Sequence, residues 1–425
     1  MKHRKHLALL LFVASALLLQ AQDKHALSLR EYLTNVANAN AAYVAEKYNI
    51  NRAEANLKAA EVFPDPELSL GYTNNEDWNL QMGYGIEAEI SFTLELGGKR
   101  KARIRVAQSE KELTDALLND YFHNLRADAT LAYLTALKQE KRYEIQRTSY
   151  LRMLSLAQAD SLRLQQGIIT EVDARQSSLE AAAMLNELYA YEGERQASLL
   201  HLLFFQGKDS SGTPDSITGE WTCPTHTFAL PGLIVTAQNN RADLQAAIKS
   251  KELSQNNLRL ARANRAMDLG VSLGGNYASE VRNQIAPAPA FTGIAAGIRI
   301  PLKFSNTNRG ELRAAQWAAM QSEEQYRAIE LQIASEVTQA WVGYQTACQQ
   351  VEHFRQGMLN EAELILQKKL YSYERGETSI LEALNAQRTY NDMQMNYNET
   401  LYNCASALTE LERSCAIQLH SEGEL

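Results

Sequence analysis

The chain has 425 residues, 45% of them hydrophobic, with 50 acidic against 42 basic side chains and a net charge of −8. That acidic balance argues against nucleic acid as a partner and is compatible with cationic solutes. Cys223, Cys348, Cys404 and Cys415 match no zinc or redox spacing, His123, His201, His226, His353 and His420 are scattered, and no Ser nucleophile motif occurs, so no metal centre, cofactor or catalytic site is predicted.

Lys2, Arg4 and Lys5 precede an apolar run, Leu7–Leu19, that is too short to cross a bilayer as a helix, and Ala21 offers a small residue for cleavage. This predicts a secretory signal peptide over 1–21. Its loss takes the net charge from −8 to −11, because the segment carries three cations and no acid. No cysteine follows the cleavage region, so no N-terminal lipid anchor is expected. No later segment has the apolar length of a membrane helix. An exported chain that enters a membrane must then use β-strands closed into a barrel.

Residues 28–62 lack Pro and Gly and predict one helix, stopped by Pro64 and Pro66. Residues 67–74 alternate, with Leu68, Leu70 and Tyr72 on one face. A polar loop with Trp78 and Tyr84 leads to a strand over 85–96. There Ile86, Ala88, Ile90, Phe92 and Leu94 alternate with Glu87, Glu89, Ser91, Thr93 and Glu95. Lys99 to Gln166 contains no Pro or Gly and predicts a helix of about 100 Å, with Leu113, Leu117, Tyr121 and Leu125 as its apolar stripe. Gly167 ends it, and Thr170 can cap the next helix, which runs to Phe205.

Residues 207–232 read as a linker, and 233–415 replay the plan of 22–206. Helix 233–265, strands 269–278 and 293–304, helix 310–374 and helix 379–415 follow in order, before a tail over 416–425. Ile294, Ala296, Ile298, Ile300 and Leu302 fall in register with the first strand set, and Tyr133 and Trp341 stand 208 residues apart. All eight prolines lie outside the predicted helices. A repeat at this scale is a tandem of two large units. Val337, Trp341, Tyr344, Cys348 and Val351 form one heptad seam; Tyr390, Met393, Tyr397, Leu401, Cys404, Leu408 and Leu411 form another. If the chain reverses at Gly376, Cys348 and Cys404 face each other, as a disulfide or as two small buried hydrophobes.

Four membrane-type strands are too few to close a barrel, since the small ones need about eight. The chain is therefore expected to oligomerise. The fold class expected is mainly α with a small membrane β-barrel, a pore extended by a helical tube.

The order of these pieces resembles the TolC-like outer membrane efflux proteins. The matching residues are Pro64-Asp65-Pro66-Glu67-Leu68, Leu94-Glu95-Leu96-Gly97-Gly98-Lys99-Arg100, Arg299-Ile300-Pro301-Leu302, Arg309-Gly310-Glu311, Tyr373 through Ser379, and Leu384-Asn385-Ala386-Gln387-Arg388. The Glu-Leu-Gly-Gly-Lys-Arg junction looks most like the heavy-metal (CzcC- and CusC-like) branch. The resemblance implies a homotrimer in the outer membrane, with a twelve-stranded barrel and a twelve-helix periplasmic tunnel. The tunnel would meet a periplasmic adaptor (membrane fusion protein) and an inner membrane pump of RND type, and the chain would be the passive exit duct for metal cations or drugs. Export of polypeptides through the same kind of duct, and a non-transporting periplasmic coiled-coil protein, are the competing readings.

In such a barrel Ile86, Ile90, Phe92, Ile294, Ile298 and Ile300 would face lipid, and Glu87, Glu89 and Glu95 the lumen. The reversals at Gly167–Thr170 and Gly376–Ser379 would form the periplasmic tip. There Tyr373 matches a tethering Tyr of the family, Glu382 and Asn385 match gating acids, and Thr378 departs from an Arg of the same network. Ser379-x-x-Glu382 also reads as a capping box. Lys99, Arg100, Lys101, Arg103 and Arg105 would either meet lipid phosphates or solvate a helix start, where cations oppose the dipole.

Overall fold

The computed structural model describes residues 27–75, 81–209, 216–219, 228–302, 304 and 308–417. The expected signal peptide, Trp78, Cys223, His226, His420 and most of the linker lie outside them. The chain divides into two compact units. One combines the chain up to Ala45 with Tyr121–Arg241 and the chain from Gln332 onward; the other combines Glu46–Asp120 with Ala242–Leu331. Each unit draws on both repeats, so the repeat boundary is not a boundary between compact units.

The second unit holds the sheet. Its strands are β1 (Glu67–Asn74), β2 (Tyr84–Leu94), β3 (Leu269–Ala278) and β4 (Phe291–Arg299), all antiparallel in the order β1-β2-β3-β4. The pairing joins the two repeats, because β2 of the first pairs with β3 of the second. β4 is shorter than the predicted 293–304: it ends at Arg299, two residues before Pro301, which has no N–H to offer a ladder. Ile300 is accordingly beyond the strand.

The helices that lead into and out of the sheet are α1 (Leu29–Ala39), α2 (Ala41–Glu61), α3 (Lys99–Gln165), α4 (Glu171–Phe205), α5 (Leu230–Asn240), α6 (Ala242–Ala263), α7 (Arg309–Arg355), α8 (Met358–Glu374) and α9 (Ile380–Cys415). Three predicted helices are broken. Residues 28–62 part at Asn40, which is extended (ψ 117°) and whose Oδ1 accepts from the Tyr43 N–H at 3.0 Å. A side chain that caps locally competes with helix continuation, and that competition wins here. In the second repeat Arg241 makes the same break (ψ 126°), held by Glu336 at 2.5 Å. Residues 310–374 part at Gly357, whose φ of 115° no helix accommodates. Pro231 lies inside α5, in the first turn where its missing N–H costs nothing.

The first unit is built on helix packing. Tyr32, Val36, Ala129, Tyr133 and Leu202 are central to one core cluster. The Tyr133 hydroxyl lies 2.8 Å from the Leu27 carbonyl and 2.6 Å from that of Thr218. Its repeat partner, Trp341, donates through Nε1 to the Phe228 carbonyl at 3.0 Å. Val337, Tyr344 and Val351 of one seam and Tyr390, Cys404, Leu408 and Leu411 of the other are buried, as the heptads require. Cys348 and Cys404 do face each other, with Sγ atoms 3.9 Å apart, and no disulfide joins the two.

Candidate functional site

The sheet separates its chemistry by face. Register pairs Leu68 with Ile90, Tyr72 with Ile86, Phe92 with Val271, Ile90 with Leu273 and Val271 with Ile298. Strand alternation therefore lines one face with these residues and Ile294. All are exposed: Ile294 at 87%, Ile298 at 72% and Leu70 at 73%. Tyr84 bridges the Tyr72 and Tyr277 rings at 6.3 and 6.0 Å at the hairpin end of this face.

The opposite face carries Glu67, Ser69, Glu87, Glu89, Ser91, Thr93, Ser272, Asn276 and several glycines. It is crowded. A Cβ at Gly293 would fall 2.4 Å from Asn276 Oδ1, one at Gly297 2.8 Å from Ser272 Oγ, and one at Gly274 3.0 Å from the Ala88 carbonyl. Side chains converge like this on the inside of a curled sheet, and glycine leaves the room. Glu95 does not share this face. It lies past the end of β2, where its carboxylate takes a forked bond from Arg103 at 2.7 and 3.2 Å.

That fork belongs to the strand–helix junction. Lys99 Nζ, nearly buried, meets Asp268 at 2.6 Å. Arg100 donates twice to the Glu61 carbonyl and lies 4.1 Å over the Phe63 ring; Arg103 donates to the carbonyls of Ala60 and Val62. Arg100 and Arg103 start α3 but serve the carbonyls at the end of α2, where the dipole favours positive charge. Three of the five cations expected to meet phosphate or water therefore have a structural role.

Within the first unit, the two helix reversals share one backbone. After α3, the Ile168 N–H bonds the Arg163 carbonyl and that of Gly167 the Leu164 carbonyl. After α8, Glu377 bonds Ser372 and Gly376 bonds Tyr373. Both are Schellman closures around a left-handed glycine, at φ 72° and 73°. Thr170 and Ser379 then begin α4 and α9 with the same extended geometry.

The side chains differ. Thr170 Oγ1 accepts from the Asp173 N–H at 3.2 Å, whereas Ser379 makes no side-chain cap. The capping box expected at Ser379 and Glu382 is thus absent, and Glu382 reaches Lys369 Nζ at 2.5 Å instead. Glu382 and Asn385 both lie exposed on α9.

Tyr373 is buried, and its hydroxyl donates to Asp160 Oδ1 at 3.0 Å. Asp160 has a fully buried side chain, with the Arg163 guanidinium 3.5 Å away. Arg163 also lies 5.6 Å over the Tyr373 ring and donates to the Glu374 carbonyl at 3.2 Å. Burial raises the Asp160 pKa above the ordinary aspartate range, opposed by the hydrogen bond from Tyr373 and by the Arg163 charge. Burial, then the Asp160 charge, raises that of Tyr373. The arginine of this network comes from α3, whereas Thr378, where the resemblance leads one to expect an arginine, has a buried Oγ1 without a hydrogen-bond partner among the described residues. Sequence reading missed Asp160 and Arg163. The signal was an acid in the apolar series Met153, Ala157, Asp160, Leu164, spaced by three and four.

The outer membrane efflux protein family profile matches residues 233–416. The cobalt-zinc-cadmium resistance protein CzcC of Cupriavidus metallidurans is 25% identical over 387 residues, covering 91% of this chain and 89% of CzcC. Among solved structures, CusC aligns with a TM-score of 0.74 at 16% identity, over 91% of this chain and 92% of its own. The CmeC outer membrane channel of Campylobacter jejuni aligns with a TM-score of 0.74 at 14% identity, over 93% and 87%.

Proposed function

We propose that this chain, which belongs to the outer membrane efflux protein family and is an outer membrane efflux channel, works as a homotrimer that conducts its cargo passively from a periplasmic adaptor and an inner membrane pump. The observation that carries this reading is the sheet. It has an unbroken apolar face, a polar and crowded face, and open edges on β1 and β4. An exposed apolar face suits lipid, and unpaired edges are tolerated in lipid only when closed. Three sheets joined β4 to β1 close both edges and keep every pairing antiparallel.

Glu67, Glu87 and Glu89 then repeat around the lumen and favour cations. Together with the metal-resistance relative, this supports metal cations as the cargo class, with drugs as the alternative. The reversals at Gly167 and Gly376 are the adaptor-facing tip. There Tyr373, held by Asp160 and Arg163, keeps the resting duct closed, and Glu382 and Asn385 face the constriction.

Single-channel conductance of the purified chain in planar bilayers tests this. The expected result is a small cation-selective current that grows in Tyr373→Phe and is less sensitive to divalent block in Glu382→Gln. Absence of current from inserted trimers, in both the natural chain and Tyr373→Phe, overturns the duct.

A further inference from the structure

Four cations at the starts of α3 and α7 have no structural role among the described residues. Lys101 and Arg105 lie on one face of α3, a turn apart, and Arg309 and Arg313 lie likewise on α7. All four are exposed, and none has a side-chain partner among the described residues. The repeat isolates them. Lys101 and Arg105 recur as cations 208 residues on, at Arg309 and Arg313; the cations that bind backbone or acids do not recur, since Arg100 corresponds to Asn308 and Arg103 to Glu311. Each pair sits in the first turns of a helix, where positive charge opposes the dipole and costs stability. A cost met twice at matching positions points outward, to an anion.

The level of the four cations identifies that anion. Glu67 pairs with Ser91 and Gly270 with Arg299, so the chain enters α3 and α7 at the same end of the sheet. Exposed apolar side chains accompany the cations there: Phe63, Leu302, Phe304 at 87% and Trp317 at 68%. Apolar and aromatic side chains beside basic ones, continuous with an apolar strand face, have the composition of a membrane–water boundary.

We propose that Lys101, Arg105, Arg309 and Arg313 form a belt that binds the headgroup phosphates of anionic phospholipid in the periplasmic leaflet. This rests on the sheet being the membrane-spanning part. The belt would fix the depth at which the barrel sits, and hence how far the helices project toward their partners.

Native mass spectrometry of the full-length oligomer, extracted from vesicles with equal phosphatidylglycerol and phosphatidylcholine, tests the belt. One basic residue near an anionic surface is worth about a fivefold shift in binding. The natural chain should therefore retain phosphatidylglycerol at least about fivefold over phosphatidylcholine, less so at high salt. Replacing all four cations with Gln should abolish the preference, while Arg262→Gln with Arg265→Gln should keep it. If the fourfold variant fails to assemble, Lys101→Gln with Arg105→Gln alone should lose a large part of it. Equal retention of both lipids by the natural chain, an undiminished preference in the belt variants, or displacement of phosphatidylglycerol by inorganic phosphate overturns the proposal. Conductance of the same preparations separates the two readings: a working channel without lipid preference sinks only the belt, and no channel sinks its premise.

Discussion

At Gly167 and at Gly376 the backbone performs one manoeuvre twice, with the same Schellman hydrogen bonds and nearly the same φ, yet the two reversals are fastened differently. The first is held locally, by Thr170 capping α4 through the Asp173 N–H. The second is held at a distance: Leu164 occupies in the first reversal the place that Tyr373 takes in the second, and only Tyr373 reaches across to another helix, to Asp160. Local capping stabilises a helix whatever surrounds it. A buried bond between helices stabilises one arrangement of those helices, as the proposed closure would require. The difference teaches that the repeat fixed the turns, while the side chains in which the two copies differ decide how each turn is held.

The largest expected effect lies at that asymmetry. Tyr373→Phe takes the hydrogen bond from the buried Asp160 carboxylate and leaves it the Arg163 charge, a loss of about 1–3 kcal/mol, and should raise resting conductance; Leu164→Ala at the matching place should leave conductance unchanged. A resting current that responds equally to both would erase the distinction.

Replacing either glycine tests the shared part. An added Cβ at Gly167 or Gly376 meets nothing within 4 Å, so the penalty is the left-handed backbone alone, about 1–2 kcal/mol. Gly167→Ala and Gly376→Ala should lower the heat-unfolding midpoint by equal amounts, and unequal losses would mean that the two turns are not equivalent.

Capping is next in size. Thr170→Ala should cost about 1 kcal/mol in denaturant unfolding, and Ser379→Ala less than about 0.5 kcal/mol, because its hydroxyl caps nothing.

The smallest effect is a pH slope. Asp160 keeps its proton in the folded tip at a pH where the unfolded chain has lost it. Its favourable contribution is therefore present at low pH and is lost as pH rises from the ordinary value, about 4, through the raised one. Melting across that window should slope downward with pH in the natural chain and flatten in Asp160→Asn; an unchanged slope assigns it elsewhere.

What the sequence determined by itself was whatever depends on near neighbours. Alternation in Ile86–Leu94 set the strand faces, because side chains in a strand point to opposite sides with period two. Glycine at 167 and 376 set the reversals, because the left-handed conformation costs every other residue a Cβ clash. Thr170 set a cap because the donor it accepts from, the Asp173 N–H, is three residues away. The tertiary structure decided what depends on residues far apart in the chain. Asn40 and Arg241 interrupt their helices, Asn40 with its Nδ2 on the Phe205 carbonyl and Arg241 held by Glu336. Lys99, Arg100 and Arg103 look like a basic patch until Asp268 and the end of α2 are brought beside them. Ser379 and Glu382 have the spacing of a capping box, but the Glu382 N–H bonds the Ser379 carbonyl and its carboxylate turns to Lys369. Asp160 is one polar residue in an apolar stripe until folding sets Tyr373 against it. Local propensity acts through a few covalent bonds and can be read along the chain; the partner of a buried polar group is set by packing, and only the folded chain supplies it.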